Sequence, residues 1–145
     1  MFSRILVPTD GTALSEKAAQ GAIDLACQCK GALVALTVVA PYQAAPTADT
    51  MHIGGADAYR EQQRETVQFR LSRITALAAR AGVHCDTVFA ESATVHRAIV
   101  NTARQHNCDL IVMGSHGHRK LAAMIVGSQT QKVLAESGIP VLVYH

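Results

Sequence analysis

Apolar residues fall along this chain in two rhythms that alternate from one end to the other. Arg4-Ile5-Leu6-Val7-Pro8 is a short apolar run stopped by proline and followed by the turn pair Asp10-Gly11, as where a buried strand gives way to a loop. From about Ser15 to Lys30 the small residues Ala19, Ala22, Ala26 and Cys29 recur at spacings of three and four, a stripe along a helix ending near Gly31. Ala32 to Ala40 is almost unbroken in its apolarity and predicts a central strand covered on both faces. Pro41 to about Asp57, with two prolines and two adjacent glycines, predicts a long loop or lid and the least ordered part of the chain.

The helical rhythm returns from about Ala58 to Ala81, with Val67, Leu71, Ile74, Ala78 and Ala81 on one stripe. Arg60, Arg64, Arg70, Arg73 and Arg80 belong mostly to its solvated face, and Gly82 closes it. Val83 to Ala90 alternates like a strand nearer a sheet edge. Thr94 to His106 predicts a third helix that buries Val95, Ala98, Ile99, Thr102 and Ala103. Asp109 to Met113 is a fourth strand ending at Gly114, a fourth helix follows Gly127, and Ile139 to Tyr144 is a fifth strand. Strand and helix alternate throughout, which demands right-handed crossovers and an α/β fold with helices on both faces of a parallel sheet.

Composition narrows the class. With 145 residues, 49% of them hydrophobic, 17% charged and 4% aromatic, the chain is long enough for one domain with a core of Ala, Val, Leu and Ile, and it is not a disordered segment. A net charge of +2 with no run of Lys or Arg argues against nucleic acid as a partner. The apolar run at the amino terminus is too short for a signal peptide, and no stretch approaches the roughly 18 apolar residues of a membrane span, so the expected location is cytoplasmic with no membrane partner. Cys27, Cys29, Cys85 and Cys108 make neither a CxxC pair nor a zinc-finger spacing and read as small buried structural residues.

The candidate chemistry lies in Met113-Gly114-Ser115-His116-Gly117-His118-Arg119 and, with nine residues between it and Gly117, in Gly127-Ser128-Gln129-Thr130. Gly114 directly after a buried strand lets backbone approach a ligand with no Cβ in the way, and Gly117 does the same one turn later. At Gly127-Ser128 a helix begins, where free N–H groups and the positive dipole end favour phosphate. The alternative, glycine as ordinary turn punctuation, stays open on this pattern alone. Neither GxxxxGK[ST] nor GxGxxG occurs. Asp10-Gly11-Thr12 has the look of a phosphatase signature, but Pro8 stands where the nucleophilic aspartate belongs; Asp10 is either a turn or cap residue or a ligand contact. His106, His116, His118 and His145 lack the carboxylate or cysteine that would complete metal-ligand spacing.

Gly114-x-x-Gly117-x9-Gly127-Ser128 resembles the G-2x-G-9x-G(S/T) pattern of ATP-binding universal stress proteins. Ile5-Leu6-Val7-Pro8-Thr9-Asp10 and Gly138-Ile139-Pro140-Val141-Leu142-Val143 are similar to that family's first and last strands, so the likeness covers the whole chain. It implies a three-layer α/β/α, Rossmann-like fold of the adenine nucleotide alpha hydrolase kind, with an open five-stranded parallel sheet in the order 3-2-1-4-5. The nucleotide, ATP or else AMP or ADP, would sit at the switch point of that sheet. By the same resemblance Pro8, Thr9 and Asp10 would line the adenosine side, and Val38 would offer backbone groups to the adenine edge. Met113, Gly114, Ser115, His116, Gly117, His118 and Arg119 would sit by the ribose and phosphates, and Gly127, Ser128, Gln129 and Thr130 would close on the phosphate chain. Mg²⁺ would come with the nucleotide, bridging its oxygens. The resemblance further implies a homodimer paired through residues 139–144. Two positions depart from the family pattern: Gln129 replaces a small apolar residue, and Thr37 a histidine. A nucleotide-independent dimeric interaction protein and a weak ATPase are the rival readings; no nucleophile, base and orienting acid assemble from spacing.

Overall fold

Each apolar run forms a strand, and the strands pair in parallel. The computed structural model describes residues 1–43, 54–115 and 127–145. In chain order the elements are β1 (Arg4–Pro8), α1 (Ala13–Cys29), β2 (Ala32–Val39), α2 (Gly55–Arg80), β3 (Cys85–Glu91), α3 (Val95–Gln105), β4 (Leu110–Gly114), α4 (Ser128–Glu136) and β5 (Val141–Tyr144). They build a five-stranded sheet in the order β3-β2-β1-β4-β5, the architecture and strand order expected.

Period-two alternation explains why the inner strands are apolar at every position: each divides its side chains between two cores. Ile5 and Val7 of β1, Leu33 and Ala35 of β2, and Leu110 and Val112 of β4 pack with α1 and α2. Leu6, Val34, Leu36, Ile111 and Met113 pack on the other face with Ile99, Val100 and Ala103 of α3 and Val133 of α4. The stripe that α1 buries is mostly alanine, Ala18, Ala19, Ala22 and Ala26, so its backbone lies close against the sheet. At the edge, β3 alternates half-buried and exposed positions and leaves Phe89 61% exposed.

The helices α1, α2 and α3 end in one motif, with a residue in left-handed conformation at Lys30 (φ 55), Gly82 (φ 70) and Asn107 (φ 52). In α2, for example, the Gly82 N–H reaches the Ala79 carbonyl and the Val83 N–H the Ala78 carbonyl. Lys30, rather than the expected Gly31, takes the strained position. Gly31 is there for space: a Cβ on it would sit 2.9 Å from the Phe2 carbonyl oxygen.

Some boundaries differ from expectation. α1 starts two residues early because Thr12 caps it, accepting the Ser15 N–H. Within the expected loop, Gly55 to Asp57 already belong to α2, and residues 44–53 lie outside the described part. Nor are the cysteines uniformly buried: Cys108 is, but Cys27 is exposed on α1. Burial pushes the Cys108 thiol up to about 11, as expected of an inert structural cysteine.

Candidate functional site

β1 and β4 lie side by side at the centre of the sheet, and their connections leave toward opposite faces, to α1 on one and to α4 on the other. Diverging loops at such a switch point leave a crevice at the carboxyl ends of the strands. A cleft of about 290 Å³ is found there, near the lower end of the ~300–1,000 Å³ of small-molecule sites. Pro8, Thr9 and Asp10 line it from β1 and the turn after it, Val38 from β2, Met113 and Gly114 from β4, and Gln129 and Thr130 from α4. Residues expected at a ligand from four separate stretches of chain are thus brought to one hollow. His116, Gly117, His118 and Arg119 lie outside the described residues.

The turn after β1 is held by its own hydrogen bonds. The buried Thr9 donates its N–H to the Leu36 carbonyl, and its carbonyl accepts the Thr37 hydroxyl at 3.1 Å. Asp10 accepts the Thr12 N–H at 3.0 Å and the Thr12 hydroxyl at 2.6 Å through one carboxylate oxygen. Asp10 is therefore a turn residue beside the α1 cap, as one of the two readings expected, and it also lines the cleft. Gly11 turns the chain at φ +81, and Arg70 from α2 lies directly over it.

β1 stops at Pro8, opposite Leu36, whereas β2 runs on to Val39. In a parallel ladder, alternate residues turn both backbone groups toward the same neighbour. The Leu36 carbonyl accepts from Thr9 on the β1 side, and the Val39 carbonyl accepts from Ser92 on the β3 side. Val38 therefore turns its N–H and carbonyl into the space beyond β1, where the cleft lies.

At the other end, the Ser115 N–H continues the ladder to the Tyr144 carbonyl, and the Ser115 carbonyl receives the Gly127 N–H at 2.6 Å. Ser115 is buried outside the cleft wall, and its hydroxyl has no hydrogen-bond partner among the described residues. Gly127 (φ −55, ψ 150) needs no glycine-specific conformation, and its amide is already used. The first bond within α4 runs from the Gln131 N–H to the Gly127 carbonyl, so the amides of Ser128, Gln129 and Thr130 precede the ladder, and no side chain among the described residues caps them. The Thr130 hydroxyl points inward, 3.2 Å from the Gly114 carbonyl and 3.3 Å from that of Ser115, leaving its N–H as its outward donor.

Gln129 neither crowds this turn nor leaves it. Its side-chain oxygen accepts the His96 N–H at 3.0 Å and lies 3.1 Å from His96 Nδ1. Thr94 gives α3 no side-chain cap, so Gln129 serves that helix start from across the interface. A small apolar residue could not reach.

The sequence reading missed Ser15, Leu36, Arg70, Val95 and Ile99 as cleft residues. Val95 and Ile99 were legible only as the buried side of α3. Arg70 carried a usable signal: it stands three residues after Val67 and four before Ile74, on the edge of the apolar stripe rather than opposite it. Among the described residues no three His, Cys, Asp or Glu side chains cluster as a metal site, and no helix is long and apolar enough to cross a membrane.

The family model of the universal stress proteins matches residues 1–145. The chain belongs to that family. It is 31% identical to universal stress protein YxiE of Bacillus subtilis over 99% of each chain. To universal stress protein MJ0531 of Methanocaldococcus jannaschii it is 30% identical over 99% of this chain and 82% of the other. Among solved structures, MJ0577 superposes with TM-score 0.83 at 24% identity, covering 99% of this chain and 96% of that one. A universal stress protein in complex with cAMP gives 0.74 at 23% identity, covering 99% and 97%. The Archaeoglobus fulgidus universal stress protein in complex with dAMP gives 0.68 at 16%, covering 99% and 98%. At these identities the superpositions show the Rossmann-like universal stress protein fold.

Proposed function

We propose that this universal stress protein binds an adenine nucleotide in the cleft between β1, β4 and α4, and that occupancy alters the surface it presents to partners in a cytoplasmic stress response. The observation that carries the reading is a pairing of two kinds of free backbone group across one hollow. Val38 turns a donor and an acceptor into it, the combination an adenine edge requires. Opposite, α4 begins with the uncapped amides of Ser128, Gln129 and Thr130, a natural seat for phosphate. Universal stress proteins of the same fold have been solved with cAMP and with dAMP, which supports an adenosine phosphate here.

ATP is the form we assign, with AMP and ADP as shorter competitors for the same seat. Mg²⁺ accompanies the triphosphate through its phosphate oxygens, and any hydrolysis is slow. Pro8, Thr9, Asp10 and Val38 hold the adenosine, while Met113, Gly114 and the first turn of α4 hold the ribose and phosphates. His116, Gly117, His118 and Arg119 complete the seat in this proposal. Isothermal titration with Mg·ATP is expected to show saturable binding, and silence at millimolar nucleotide rejects the reading.

A homodimer paired through residues 139–144 is proposed alongside it. Its support is that β5 lies at the sheet edge with Leu142 41% exposed, an edge that invites a second strand. Sedimentation at micromolar protein is expected to give twice the monomer mass; a monomer alone rejects the pairing.

A further inference from the structure

His96 has no part in the family pattern, yet it is the residue through which α3 grips the nucleotide turn. It is buried in α3, 33 residues before its partner Gln129. A backbone N–H can only donate, so the Gln129 atom facing the His96 N–H must be the carboxamide oxygen. That oxygen also faces His96 Nδ1, which therefore carries a proton. On the far side of the ring, Nε2 lies 3.5 Å from a Glu136 carboxylate oxygen. With its oxygen engaged by His96, the carboxamide has its NH₂ left to donate elsewhere. That nitrogen belongs to a residue lining the cleft.

We propose that His96 is a positioning residue for nucleotide recognition: by holding the Gln129 oxygen it presents the Gln129 NH₂ to the cleft as a donor to the phosphate of the ligand. The inference rests on the nucleotide reading above. Gln129 stands in the first turn of α4, whose amides are the anion-favouring end of the cleft, so its donor acts on phosphate and not on the base. His96 touches no ligand and acts only through Gln129.

The test is a binding cycle with two ligands, ATP and adenosine, on the full chain. Gln129→Met and His96→Phe are each expected to weaken ATP roughly ten-fold, about the worth of one hydrogen bond to a charged group, and to leave adenosine unchanged. The double variant is expected to bind ATP no more weakly than either single one, because the second change removes nothing further. His96→Asn, whose side-chain NH₂ can replace the Nδ1 donor, is expected to stay within about two-fold of the unsubstituted protein, which serves as the check should His96→Phe fail to fold. Hydrogen exchange without ligand gives an independent reading: the His96 amide is expected to be protected in the unsubstituted protein and in His96→Asn, and unprotected in Gln129→Met. Additive losses in the double variant, or equal losses for adenosine and ATP, overturn the role of His96 while leaving nucleotide binding intact. An unsubstituted protein that binds neither ligand removes the nucleotide reading and this inference with it.

Discussion

Single residues at the strand tips show how little of the cleft is loose. Thr37 is fully buried, and its hydroxyl donates to the Thr9 carbonyl, fixing the turn that carries Asp10. Thr37→Val keeps the shape but deletes the donor, and is expected to lower unfolding free energy by about 1–2 kcal/mol in urea denaturation. At the opposite end of the sheet, Asp109 clips the start of β4 to β1. Burial alone would raise its carboxyl, but the Ser3 N–H, the Ser3 hydroxyl and the Arg4 N–H all donate to it and hold it below its ordinary value. A carboxylate lowered in the folded state stabilises above its unfolded pKa, about 3.9, and that stability is lost as pH falls through the folded value. Asp109→Asn is therefore expected to cost about 1 kcal/mol near neutral pH, held to that by its partial exposure, with the difference shrinking below about pH 4 in parallel acid titrations of stability. Residue roles were the hardest thing to read from sequence. That Asp10 and Val38 line the cleft was expected only through the family resemblance, whereas nothing in the neighbourhood of His96 signals a partner 33 positions away.

At the scale of elements, the strands were legible because burial on both faces leaves no polar position to confuse the rhythm, as at Leu33 to Leu36. Helix ends were less so, since they depend on caps and not on periodicity. Thr12 starts α1 outside its apolar stripe, and Lys30 ends it in a conformation that side chains disfavour. Lys30→Gly is expected to raise stability by about 1 kcal/mol, measured as an upward shift of the thermal or urea midpoint, because glycine adopts φ 55 without that strain. The same substitution at Gly31 reversed, Gly31→Ala, works against the Phe2 carbonyl instead. The start of α4 differs from expectation: the glycine that opens it gives its amide to the Ser115 carbonyl, and the three amides after it precede the helical ladder.

Taken whole, the molecule is a parallel sheet whose central strands part company at their carboxyl ends, and the proposed function follows from that parting. The strand order follows from the family and was legible in the sequence only through the resemblance, because apolar rhythm alone cannot say which strands are neighbours. The cleft itself is a product of unequal lengths: β2 outruns β1, so Val38 has backbone groups that no strand uses. The most direct test is a ¹⁵N–¹H NMR titration of the nucleotide-free protein with AMP, which follows each backbone amide separately. Saturable shifts are expected to concentrate at Thr9, Asp10, Val38, Ser128, Gln129 and Thr130. Shifts centred instead on a separate hollow lined by Phe89 and Arg64, between α2 and β3, or no saturable shift at all, would contradict the account.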